Sequence, residues 1–288
     1  MSIDPLLLTI ALTINLATAA GAWAKHAVSA GGAVGGLIVG ATTLYAGGFL
    51  YWIALMLFFG SSTVASRLGG SIKARLDRVH EKGSRRDIMQ VMANAGVPTA
   101  ALVVLWITGE PEVAVAAAAG FAGANADTWA SEIGVLSNQR PRSILNRRVL
   151  EPGTSGGTTA LGTTAASAGS LLVAVWFAAG LVLARGTDAG ALWSGQAALP
   201  VSVGAAAGAV FLAGSLASLV DSVLGAAIQA QFRTPDGAYT ERRVTQHNGV
   251  WRENELVRGI RWINNDAVNL LATLSAAAFG TLIYNVLV

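Results

Sequence analysis

The sequence predicts an all-α polytopic membrane protein: a single transmembrane domain over residues 1–288, with about eight transmembrane helices and both termini outside. Three observations carry this. The chain is 53% hydrophobic and only 12% charged, with a mean hydropathy of +0.55, whereas a soluble domain has about a quarter of its residues charged. Six runs hold no charged residue, namely 5–24, 27–66, 88–108, 153–184, 189–220 and 267–288, and a membrane helix needs about 20 apolar residues. Finally, 18 of the 19 Lys and Arg fall in alternate connections, the asymmetry that marks one membrane face. That face is expected to be cytoplasmic, with 67–87, 137–156 and 231–264 as its main loops, in a multi-pass protein of the cell membrane.

Each element has its own reason. The first helix, 5–24, has no basic residue before it, which argues against a cleaved signal peptide. The run 27–66 is long enough for two spans, drawn as 30–47 and 49–66. The fourth helix, 88–108, opens on a stripe of Asp87, Gln90, Asn94 and Pro98 at spacings of three and four. The fifth, 112–136, has two polar faces: Asn125, Thr128 and Glu132 on one, Asp127, Ser131 and Gly134 on the other. Two polar faces predict a central place in the bundle rather than one against lipid. The sixth, 157–184, is entered through the glycine-rich stretch EPGTSGGTT. The seventh, 198–230, is long for a span and is expected to be tilted, broken or partly outside the bilayer. It carries Ser215, Ser218, Ser222, Gly225 and Gln229 on one stripe, with Asp221 at its edge. The eighth, 265–286, opens with Asn265, Asp266, Asn269 and Thr273 on a shared face.

These stripes lie in the cytoplasmic parts of their helices. An Asp at a helix centre costs about 2.5–3.5 kcal/mol on the insertion scale, so Asp127, Glu132, Asp221 and Asp266 point to function. The polar set is expected to converge on a cavity open to the cytoplasm under a basic rim. Ser215, Ser218, Thr273 and Pro98 are expected to serve helix packing instead. A weak internal repeat aligns GFAGANADTWAS with GSLASLVDSVLG: a glycine precedes Asp127 and Asp221 by seven residues in each. It predicts two related helices that each bring an acid to one site. With no cysteine, disulfides and thiolate metal sites are excluded. The three histidines are scattered and read as loop residues.

Glycine-rich loops add a second chemistry. Thr154, Ser155, Gly156 and Gly157 precede the sixth helix, where free N–H groups and hydroxyls can hold an anion. The stretch is no P-loop, since no GK[ST] follows. Gly69-Gly70-Ser71 with Lys73 is a second such element. Carboxylates for a divalent metal beside N–H and cationic groups for phosphate suit Mg²⁺, which takes one or two carboxylates plus phosphate oxygens.

The motifs QVMANAG, ADTWASEIG, EPGTSGGTTALGT and WINNDAVN, in this order, resemble the integral membrane family catalogued as domain of unknown function 92. That family includes the transmembrane-protein-19-like proteins and phytyl-phosphate kinases of tocopherol synthesis. The resemblance runs over nearly the whole chain. ADTWASEIG is also distantly similar to a helix motif of CTP-using prenol kinases. The resemblance implies an NTP-dependent, CTP in particular, phosphoryl transfer to an isoprenoid monophosphate, phytyl or prenyl, giving the diphosphate. On that footing Asp127, Asp221 and Asp266 are the expected metal ligands, with Glu132 as ligand or support and Asp127, Asp221 and Glu132 as the catalytic acids. Asn94, Ser131, Asn265 and Asn269 would complete or orient the shell. Lys73, Arg85, Arg86, Thr154, Ser155, Gly156 and Gly157 would hold phosphates. The expected partners are the nucleotide, the isoprenoid monophosphate and membrane lipids, with no nucleic-acid polymer.

Two other classes fit less of the sequence. A transporter or flippase of polyprenyl phosphate or a small anion would explain the polar residues and the basic rim. It requires polar residues that continue to the outer side, where the helices are rich in Ala, Val and Leu. A non-catalytic membrane scaffold leaves the buried acids without a purpose.

Overall fold

The computed structural model describes residues 4–70, 85–185, 201–247 and 249–288. Its helices are α1 (Pro5–Ala24), α2 (Ala30–Arg67), α3 (Ile88–Thr108), α4 (Pro111–Gly134), α5 (Ala160–Arg185), α6 (Val203–Ala227) and α7 (Asn265–Leu287). Among the described residues six of them, all but α4, are long and apolar enough to cross a membrane.

α2 is 38 residues long and is broken at Gly48, which has φ 68° and ψ −171°. Essentially only glycine occupies that region. The Oδ1 of Asn15 accepts from Trp52 Nε1 at 3.0 Å, and a Cβ on Gly40 would collide with the same oxygen. Residues 40 and 52 would lie about 18 Å apart in a straight helix. The two arms, 30–47 and 49–67, therefore fold back on one another, as the two segments drawn from the sequence do.

α4 is the centre. It packs against α2, α3, α5, α6 and α7, and every residue from Ala114 to Ala126 is buried. Small side chains permit this in a membrane bundle. Ala122 faces Gly214 and Gly123 faces Ala217, so α4 and α6 run parallel and close to the offset of 94 residues that separates Asp127 from Asp221. α7 runs antiparallel to α4, with Gly123 against Ala276 and Gly280 against Ala119. Buried hydroxyls and amides join the helices. Thr43 and Thr99 share a bond of 3.0 Å, Ser170 donates to Phe211 O at 2.8 Å, and Thr273 donates to Ala93 O at 3.1 Å. Thr273 is thus the packing residue expected of it. So is Pro98, against which Gly120 rests.

Several expectations are corrected. The segment 198–230 is helical only over Val203–Ala227 among its described residues, because the chain leaves the helix and enters a sheet from Gln231. The fifth segment ends at Gly134 rather than 136. The sixth begins at Ala160, since Gly157–Thr158 pair as a strand and the Thr159 Oγ1 accepts from Gly162 N at 3.0 Å. The fold is also not purely helical. Strands β1 (Arg142–Ser143) and β2 (Gly157–Thr158) pair antiparallel. The connection 231–264 holds β3 (Gln231–Arg233), β4 (Tyr239–Thr240), β5 (Val244–His247), β6 (Val250–Glu253) and β7 (Glu255–Arg258), as a β4-β3-β7 sheet and a β5-β6 hairpin. Its short runs escaped a reading tuned to apolar helices. These strands cap the end of the bundle where α4 and α6 finish and α5 and α7 begin.

Candidate active site

α4 shows the two polar faces that its sequence predicts, and they look into different places. On one, the Asp127 carboxyl stands within hydrogen-bonding reach of the Asp221 carboxyl of α6. The parallel packing of α4 and α6 brings the two acids to one height. From α7, the Asn269 amide, with its nitrogen turned toward α6, donates to Asp221 Oδ2 at 3.1 Å and accepts from Asn265 Nδ2 at 3.3 Å. Three helices thus contribute to one carboxyl pair with an amide support. Two carboxylates in contact hold a proton or a cation between them.

The cap closes over this pair. Glu241, just after β4, accepts from Gln229 Nε2 at 2.9 Å and from Ser155 Oγ at 3.0 Å, and its charge reaches Asp221. Arg258 of β7 donates to Ser155 O and Gly225 O, both at 3.2 Å. Burial lowers the Arg258 guanidinium below its ordinary pKa, and Glu241 opposes that shift. The loop 151–157 is therefore packed on the end of α6. Gly156, at φ 80°, lies so close that a Cβ would strike Ala226. Gly157 N is taken by Thr154 O at 3.1 Å. Thr154, Ser155, Gly156 and Gly157 are thus seen first as a clasp between α6 and the cap.

The other face of α4 looks toward α2 and α3. Asn125 donates to Gly169 O at 2.8 Å and accepts from Ser61 Oγ at 3.0 Å; it ties helices together. Thr128 lines a cavity of about 90 Å³ between α1, α2 and α3, together with Asn15, Arg86, Gln90 and Asn94. Asp127, Asp221 and Asp266 do not line it. Burial lowers the Arg86 guanidinium, and Glu132 opposes it.

The expected set is thus divided. Asp127, Asp221, Asn265 and Asn269 come together. Asn94 and Arg86 belong to the cavity across α4, with Glu132 close enough in charge to act on Arg86. Asp87 and Gln90 of the stripe form a capping box at the start of α3, and Asn94 Nδ2 bonds back to Gln90 O at 2.9 Å. Ser131 bonds back to Thr128 O at 3.1 Å and is exposed. Arg85 reaches Val28 O at 3.4 Å. Asp266 is buried one position on from Asn265, about 100° round the helix. Lys73 and Ser71 lie outside the described residues. Among the described residues no three acidic or histidine side chains gather as a metal-holding group. Among the described residues Asp127 and Asp221 are thus placed as a pair, with Asp266 not gathered with them in a group of three. Two carboxylates remain the protein's part of a donor set that suits Mg²⁺, with phosphate oxygens completing it. Glu241 is a functional candidate the sequence reading missed. Its one local signal is an acid set directly before Arg242 and Arg243. A basic hollow also opens at the start of α5, lined by Arg140, Arg142, Arg147, Thr158 and Thr163.

Comparison with known proteins agrees with this architecture. The family described as Integral membrane protein DUF92 matches residues 13–277. The chain is 32% identical to Protein PGR of Arabidopsis thaliana over 77% of this chain and 79% of that protein. It is 31% identical to Uncharacterized membrane protein MJ0933 of Methanocaldococcus jannaschii, over 88% of this chain and 84% of that protein. No solved structure matches.

Proposed function

The chain belongs to the DUF92 family of integral membrane proteins, and from that premise we propose that it is a membrane-embedded phosphotransferase acting on an isoprenoid monophosphate. The donor is an NTP, CTP on the resemblance of its motifs, and the product is the isoprenoid diphosphate. The observation that carries the reading is the Asp127–Asp221 pair, which Asn269 supports and the basic cap covers. The basic end faces the cytoplasm, where nucleotide is found; the excess of Lys and Arg there supports that side.

Phosphoryl transfer needs alignment and charge neutralisation more than covalent help. A phosphate oxygen of the acceptor attacks the γ-phosphorus, forming a new P–O bond. The bond from that phosphorus to the β–γ bridging oxygen breaks, and its electron pair leaves with the nucleoside diphosphate. The acceptor oxygen is already anionic at neutral pH, so no strong base is required. Asp127 and Asp221 would hold Mg²⁺, which supplies neutralisation of phosphate charge. Asn269 and Asn265 fix the Asp221 carboxylate from α7. Glu241, Gln229 and Ser155 keep the cap closed over the pair, and Arg258 clamps loop 151–157 to α6. The arginines around the start of α5 offer charge to nucleotide phosphates.

The half of α4 far from the cap favours an enzyme over a transporter. Val115, Ala117, Ala119, Phe121 and Ala122 are fully buried there, so the polar pair has no polar continuation along that helix. The test uses purified protein in detergent with magnesium, γ-labelled CTP and a panel of prenyl monophosphates. Labelled prenyl diphosphate is the expected product. If no nucleotide yields product in detergent, while reconstituted vesicles move prenyl phosphate across the membrane, the transporter replaces this reading.

A further inference from the structure

We propose that the face of the β5–β6 hairpin beside the start of α7 docks on the acidic phospholipid headgroups of the membrane that holds the helices. The proposal stands apart from the transferase reading, because none of the residues it uses belongs to the carboxyl pair or to the contacts that close the cap.

The hairpin calls for a partner. A two-stranded ribbon alone is marginal in water, and β6 is exposed along its whole length. The register sets Gln246 opposite Trp251 and Val244 opposite Glu253, so these four side chains share one face. All four are exposed, Trp251 at 70%. Apolar surface of this kind is better placed out of water.

The base of the hairpin fixes the depth of this face. Glu253 accepts from Arg243 Nε at 2.9 Å and from Arg261 Nη1. Arg261 leads directly into Trp262, which is 78% exposed. Asn264 then caps α7, an apolar span that begins three residues after Trp262. A side-chain bond therefore holds the hairpin to the point where the chain enters the hydrocarbon. Tryptophan concentrates at that level of a bilayer, among the headgroups.

Charge selects the lipid. Two guanidinium groups meet one carboxylate at Glu253, which leaves the face cationic. Over 242–262 five arginines stand against two glutamates, a net +3. Arginines this close to a bilayer are drawn to acidic headgroups, and zwitterionic lipid offers no such attraction.

The chain has no cysteine, so Gln246→Cys places a single environment-sensitive fluorophore on this face. The labelled protein is set, one copy per disc, in nanodiscs of phosphatidylcholine alone or mixed in equal parts with phosphatidylglycerol. A trace of lipid spin-labelled near the headgroup serves as quencher. In the mixed discs the emission should shift to the blue and be quenched, with a docked-to-free ratio about fivefold or more above that in phosphatidylcholine, the factor that one arginine near an acidic surface supplies. Salt at about 1 M, where the Debye length is about 3 Å, should erase the difference. Arg243→Gln should lower the ratio in mixed discs about fivefold, and Trp251→Ala should lower quenching in both discs, each with an unchanged elution profile. Quenching that is equal in the two discs, or that neither substitution moves, overturns the proposal. So does a label that turns blue only when two copies share a disc, which would give the face to a second copy of the chain.

Discussion

Replacing Gly156 with alanine tests whether the glycine-rich loop is a clasp on α6 or a cradle for phosphate. Gly156 has φ 80°, a conformation that costs a residue with a Cβ about 1–2 kcal/mol. The added Cβ would also lie 2.6 Å from both Ala226 Cα and Ala226 N. Those are backbone atoms inside α6 and cannot swing aside, so overpacking adds about 1–3 kcal/mol. The sum is about 2–5 kcal/mol, and about 2 °C per kcal/mol for a chain of this size makes a fall in midpoint of about 4–10 °C. Eight tryptophans allow the unfolding to be followed by intrinsic fluorescence in detergent. Gly60→Ala is the control, since its Cβ would meet nothing within 4 Å, and alanine in a helix gains about 0.5–1 kcal/mol over glycine. A Gly156→Ala protein that melts like wild type but binds nucleotide weakly would refute the clasp and restore the phosphate cradle.

The carboxyl pair and the hairpin give sharper contrasts. Asp221→Asn should lower transfer by about a hundred- to a thousandfold, the scale of losing one electrostatic group at the reacting centre, with an unchanged elution profile and no thermal shift by magnesium and nucleotide. Retained turnover in that variant would remove the pair from the chemistry. Gly48→Ala should cost about 1–3 kcal/mol, because the turn between the arms of α2 sits in backbone space open only to glycine; the same fluorescence melt measures it. Asn125→Leu should cost about 1–3 kcal/mol by stripping partners from Ser61 and Gly169, while activity per folded molecule remains.

Much of this molecule was written in its sequence. Charge-free runs set where helices form, because lipid offers backbone groups no partner but their own helix. The two polar faces of α4 followed from the helical advance alone, and the structure sends Asp127 to α6 and Thr128 to the α1–α2–α3 cavity. The offset of 94 residues between Asp127 and Asp221 marked two helices that meet in register. What the sequence left open was which neighbour each stripe would face. A stripe gives angle and depth on one helix, but α4 is wide enough to part residues at equal depth. Asn94 and Arg86 therefore stand across it from the carboxyl pair, and a single cavity was read where two places exist. Glu241 was invisible for a related reason. Its partners Ser155 and Gln229 come from distant elements, and only the folding of the cap onto α6 brings them to one carboxylate.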